Sequence, residues 1–141
     1  MVMPEPKKFA RRVSAFILRD DEGRVLLQHR DDTMVFPDYW VLFGGGIEGD
    51  ETPEEAVRRE AKEELGIELG DIRLFGRYEF MEPRGFMEEF IYISDVKIPV
   101  DSLRKQQKEG DDLGYFSYEE TEGMKLLDED RKRMKELFGK R

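Results

Sequence analysis

Gly44-Gly45-Gly46, followed after five residues by Thr52-Pro53-Glu54-Glu55, constrains the fold more than any other stretch of the chain. The apolar run Tyr39 to Phe43 reads as a short strand, and three consecutive glycines end it. Thr52 can then cap a helix, Pro53 suits its first position, and Glu55 completes a capping box. That helix runs to about Leu65 and stops at Gly66, a glycine placed to close a helical C-terminus. A strand, a glycine turn and a capped helix therefore follow one another directly. The backbone at the junction is free to approach a ligand closely.

The flanking pattern supplies further strands. Val13 to Leu18 and Val25 to His29 are apolar runs on either side of Asp20-Asp21-Glu22-Gly23, which predicts a hairpin. Two longer strands, Ile72 to Met81 and Glu89 to Val96, flank a turn at Pro83-Arg84-Gly85. A polar loop from Val100 to Asp112 leads to a strand at Gly114 to Ser117. The segment Leu126 to Phe138 then places Leu127, Met134 and Phe138 on one helical face. This order predicts the α/β class in its α+β form, a mixed β-sheet sandwiched between helices, as one domain over residues 1–141. That length suffices for a core without disulfides, and there is no cysteine to form them. No apolar run of about 18 residues is present, and no signal-peptide stretch follows the basic N-terminus, so a cytoplasmic protein is expected.

Charge narrows the partners. A net charge of −9 opposes binding of a nucleic-acid polymer, and without a long apolar run no membrane partner is expected. A small phosphorylated molecule is still accessible, provided a bound cation inverts the field at its site.

The predicted helix offers a place for such a cation. Glu60, Glu63 and Glu64 stand at i, i+3 and i+4 and share an arc about 100° wide. Val57, Ala61 and Leu65 occupy the adjoining arc and can anchor the helix to a sheet, while Arg58 and Lys62 point outward. Three carboxylates on one face repel each other, and a hard divalent cation reverses that repulsion. Taken alone, the pattern reads as a solvated acidic face. The glycine turn adds backbone carbonyls within reach. An ion pair between Arg59 and Glu51 would tie the loop to the helix.

Gly45, five residues, Glu51, seven residues and then Arg59-Glu60-Ala61-Lys62-Glu63-Glu64-Leu65-Gly66-Ile67 resembles the Nudix box, G-x5-E-x7-R-E-U-x-E-E-x-G-U with U apolar. Seven fixed positions coincide, an event of probability about 10⁻⁸ at roughly 7% per residue type. Ala61 is a small residue at the first U position, and Asp50 replaces the usual glycine before Glu51.

The resemblance implies metal-dependent hydrolysis of a nucleoside diphosphate derivative. Glu60, Glu63 and Glu64 would hold Mg²⁺ or Mn²⁺, with the Gly44 carbonyl and a glutamate outside the box as further ligands. Glu109 precedes the aromatic strand at a spacing like that of triphosphate-cleaving members; Asp111 and Asp112 compete with it. The general base is Glu63, Glu60 or Glu109. Arg59 and Glu51 would complete the catalytic set. Arg30, Phe36, Gly45 and Gly46 would face the substrate.

His29, the only histidine, is either a base or part of a wall. Tyr39, Trp40 and Phe43 offer stacking faces or core. Pro83 stands 16 residues beyond Ile67 (67 + 16 = 83), similar to a mark of ADP-ribose hydrolases. A nucleoside triphosphate is the expected substrate and ADP-ribose or a nucleotide sugar the alternative. A non-catalytic binding module is the competing class, and a monomer or homodimer is expected.

Overall fold

A computed structural model describes residues 8–139. The first seven residues, where no leader is expected, and the last two lie outside it. The chain runs β1 (Arg11–Leu18), β2 (Val25–His29), β3 (Trp40–Val41), β4 (Phe43–Gly46), α1 (Pro53–Leu65), β5 (Ile72–Glu82), β6 (Gly85–Ser94), α2 (Val100–Gln106), β7 (Asp112–Phe116), α3 (Tyr118–Glu122) and α4 (Asp128–Gly139). Four strands form a mixed sheet in the order β4-β1-β6-β5, with β1 and β6 parallel. A smaller antiparallel sheet has the order β3-β2-β7.

The expected sheet between helices is present. Phe16 and Leu18 project from β1 toward Val57, Ala61 and Leu65 of α1. Ala15 and Ile17 point the other way, into a layer shared with Met134 and Leu137 of α4. Strand side chains alternate between faces, so β1 is apolar at consecutive positions because both its faces are covered. The cap of α1 forms as expected: the Thr52 side chain accepts from the Glu55 amide at 3.1 Å, and the Glu55 side chain accepts from the Thr52 amide at 2.9 Å. Gly66 closes the helix at φ 66°.

Four expectations need correction. β1 and β2 share the expected turn, where Asp20 Oδ1 accepts from the amides of Glu22 at 3.0 Å and Arg24 at 2.8 Å. Yet they join different sheets, and a single Arg19–Val25 bridge links this region. The two edges of β1 are taken by β4 and β6, which leaves none for β2. The strand expected from Tyr39 to Phe43 is likewise divided between the sheets, Trp40–Val41 in one and Phe43–Gly46 in the other. The polar loop at 100–112 contains α2, a short helix anchored by one fully buried residue, Leu103. One anchor is too little to make a period visible. In α4 the buried pair is Met134 and Leu137; Phe138 is partly packed and Leu127 precedes the helix.

Candidate active site

The three candidate carboxylates of α1, Glu60, Glu63 and Glu64, separate by environment. Arg59 is the hub. Its guanidinium donates to both oxygens of Glu51, at 2.7 and 3.0 Å, and to the Gly46 carbonyl at 2.9 Å. The same group reaches Glu60 at 2.9 Å and Glu63 at 3.1 Å. Glu51 also accepts from the Glu48 amide at 2.9 Å, which closes the loop back on itself. One planar fork thus ties the glycine strand, the loop and the helix together, as a bidentate guanidinium can. Gly45 leaves room for the Glu60 carboxylate: a Cβ there would lie 2.4 Å from Glu60 Oε1 and would displace it from Arg59.

Glu64 differs from its neighbours. It is 3% exposed, and both its carboxylate oxygens are shut off from solvent without a donor. Burial, followed by the adjoining carboxylates of Glu60 and Glu109, pushes its pKa far above the usual carboxylate range. A buried carboxylate without donors is costly, so the group calls for a proton or a cation. The Lys108 amide donates to the Glu64 carbonyl at 3.0 Å and so brings the Glu109 loop onto the end of α1. Gly110, at φ 76°, completes the turn; a Cβ there would meet the His29 carbonyl at 2.5 Å.

The rival acids are engaged elsewhere, Asp111 with His29 at 2.6 Å and Asp112 with the Leu113 amide at 2.8 Å. Among the described residues no three such side chains already converge at coordinating geometry, and Glu60 and Glu63 accept from the same Arg59 nitrogen. The candidate donors Glu60, Glu63, Glu64 and Glu109, with the Gly44 carbonyl, are all oxygen, which fits a hard divalent cation.

A cleft of about 1140 Å³ opens beside this cluster. Arg30, Phe36, Gly44, Gly45, Gly46, Glu60 and Glu109 all line it, and so does Pro83. Burial works against the charge of Arg30 and Glu109 supports it, with Arg84 and Arg11 as cationic neighbours. Phe36 sits at φ 55° under the Arg84 guanidinium, 5.7 Å from its ring centre. Of the other aromatics, Phe43 is core, stacked on Phe16 at 5.9 Å. Trp40 packs edge-on against Phe116 at 5.0 Å. Tyr39 lies under Lys125, 4.6 Å away.

The cleft also holds two acids that sequence reasoning passed over, Glu89 of β6 and Asp130 of α4. Asp130 is 7% exposed, and Glu89 is half-buried with its Oε1 shut off from solvent and unpaired. Burial raises both pKa values first; the charge of Asp130 adds to the shift of Glu89 and that of Glu129 to the shift of Asp130, while Arg133 opposes both. A raised carboxyl adds stability that is complete below the unfolded value and is lost as pH rises through the folded one. Glu89→Gln should therefore stabilise the protein by about 1–3 kcal/mol near pH 9 and change little near pH 5. Thermal melts of both proteins at the two pH values check this; an equal shift at both removes the assignment.

The profile described as NUDIX domain matches residues 8–138. The 8-oxo-dGTP diphosphatase of Haemophilus influenzae is 33% identical over 82 residues, 58% of this chain and 60% of that protein. Nucleoside triphosphatase NudI of Escherichia coli is 47% identical over 53 residues, 38% of each chain. The match thus spans less than two thirds of these relatives' own length. MutT protein from Methanosarcina mazei Go1 has the same fold, with a TM-score of 0.76 at 23% identity over 96% of this chain and 97% of that one. So does the NUDIX domain of Shewanella oneidensis NrtR complexed with ADP ribose, at 0.78 and 18% over 95% and 90%. The box from Gly45 to Ile67, the sheet between α1 and α4 and the matched profile agree: this chain belongs to the Nudix family.

Proposed function

We propose that the protein hydrolyses a phosphoanhydride bond of a nucleoside triphosphate, releasing the monophosphate and pyrophosphate. The observation that carries this reading is Glu64, buried beside Glu60 and Glu109 with no donor to either oxygen. Family members generally use a divalent metal, and Mg²⁺ or Mn²⁺ would be held here by Glu60, Glu63, Glu64 and Glu109 with the Gly44 carbonyl. When bound, the cation neutralises the polyphosphate and makes a nearby water more acidic.

The protein's own groups supply the rest. Arg59 holds Glu60 and Glu63 in place and fixes the glycine turn through the Gly46 carbonyl. Glu109 is exposed, lines the cleft and sits in a short glycine-hinged loop, so we assign it to accept the proton of the attacking water. That water forms the new P–O bond as the bond to the leaving pyrophosphate breaks in line with it. Arg30, Arg11 and Arg84 stand in the cleft to bind the phosphate charges, and the Phe36 ring offers a face to the base.

The names of the two relatives support a triphosphate substrate. ADP-ribose is the second reading, because Pro83 does line the cleft. The box keeps every carboxylate, which counts against a module that only binds. A panel of nucleoside triphosphates, ADP-ribose, nucleotide sugars and dinucleoside polyphosphates decides among them. Triphosphates should give the highest kcat/KM; a preference for ADP-ribose would replace the substrate assignment.

A further inference from the structure

His29 is the group that the proposed chemistry leaves without a task. Its ring lies between two carboxylates, with Nδ1 2.6 Å from Asp111 Oδ1 and Nε2 3.0 Å from Asp38 Oδ1. Both neighbours accept, so the ring is best satisfied when each nitrogen donates, which makes it a cation. Its other charged or aromatic surroundings are Lys125, which reaches Asp38 at 3.6 Å, and the Trp40 ring, 5.0 Å away and tilted by 54°.

The two carboxylates belong to two different loops. Asp38 ends the loop that carries Phe36, and Asp111 follows Glu109. The backbone joins both loops at the same place. The Asp111 amide donates to the His29 carbonyl at 3.1 Å; the Asp38 amide donates to the Arg30 carbonyl at 3.0 Å. Phe36 and Asp38 both have positive φ, 55° and 72°. Positive φ is costly for a bulky residue such as Phe36 and easier for an aspartate, and His29 and Lys125 hold Asp38 in place.

We propose that His29 is a positioning residue, a doubly donating imidazolium that clamps the Phe36 loop to the Glu109 loop, the two loops whose Phe36 and Glu109 line the cleft. His29, Asp38 and Asp111 are not among the residues that line the cleft. One arm, through Asp38, sets the wall that meets the nucleoside. The other, through Asp111, sets the register of Glu109. The kinetic consequences rest on the hydrolytic reading of the cleft; the mechanical one does not.

Hydrogen exchange and kinetics on the full chain test the two parts separately. In His29→Phe, the amides of Arg30, Asp38 and Asp111 should exchange about tenfold faster or more, while the amides of α1 keep the wild-type rate. Asp38→Asn should loosen only the first loop and raise KM about tenfold with little change in kcat. Asp111→Asn should loosen only the second loop and lower kcat about tenfold with little change in KM. His29→Arg keeps a cation that can bridge two carboxylates, and should recover most of what His29→Phe loses in both readouts.

Unchanged exchange in both loops of His29→Phe overturns the clamp. Uniform acceleration that includes α1 does so too, because it marks a general loss of stability. Should His29→Phe not fold, the two aspartate variants decide: the same KM and kcat changes in both overturn the division of labour. Should the wild type turn over no substrate, the hydrolytic reading fails while the exchange pattern still judges the clamp.

Discussion

Glu64→Gln is expected to lose roughly 10²- to 10⁴-fold in kcat/KM, the several kcal/mol that a charge at a metal-assisted phosphoryl site is worth. The same substitution is expected to make the metal-free protein more resistant to heat. The two effects share one cause. Glu64 holds two oxygens away from water with no donor, next to Glu60 and Glu109. Its raised pKa means that stability is complete below the unfolded carboxyl value and falls as pH climbs through the folded one. Glutamine has nearly the same shape and carries no charge, so the gain should be visible in a chelator at about pH 9 and small at about pH 5. Steady-state kinetics and paired melts read both halves. A Gln variant with wild-type turnover would remove Glu64 from the metal site.

Arg59→Ala should be the most damaging change on the outer side of the box. It removes donors to Glu51, Glu60, Glu63 and the Gly46 carbonyl together. Hydrogen bonds to charged partners are worth about 1.5–3 kcal/mol each and do not add, so a loss of about 2–4 kcal/mol is expected. For a chain of this length that lowers Tm by about 5–12 °C. Activity should fall by a further 10- to 100-fold or so, as when the support of a metal ligand is removed. Arg59→Lys should recover little, because an ammonium cannot span both Glu51 oxygens and a carbonyl in one plane. Calorimetry with kinetics on the three proteins checks this. A lysine variant equal to wild type would show that charge alone matters.

Much of the site is legible in the sequence because it is local. The Thr52 cap, the Gly66 stop and the Glu51–Arg59 pair all lie within one loop and one helix, where spacing translates directly into geometry. Glu109 is legible only through its resemblance to a family pattern, since what places it is a backbone bond from Lys108 to Glu64.

Glu89 and Asp130 are illegible for a different reason. Glu89 follows Glu88 in a strand, and nothing in the sequence says that Glu88 meets Arg12 and Arg77 on one face while Glu89 faces the cleft on the other. Asp130 resembles any acid in the first turn of a helix; its burial comes from packing of α4 against the sheet. The hairpin expected of β1 and β2 failed in the same way. The turn is a local fact, whereas the choice of sheet depended on β4 and β6, both distant in sequence.

Product analysis with and without metal tests the central claim most directly. Purified protein is incubated with a nucleoside triphosphate in Mg²⁺ or Mn²⁺, and in parallel in a chelator, and the phosphorus-containing products are resolved. Nucleoside monophosphate and pyrophosphate should appear in equal amounts, and only with the metal. Diphosphate and inorganic phosphate in their place, equal turnover in the chelator, or no product from triphosphates or any other member of the panel would contradict that claim.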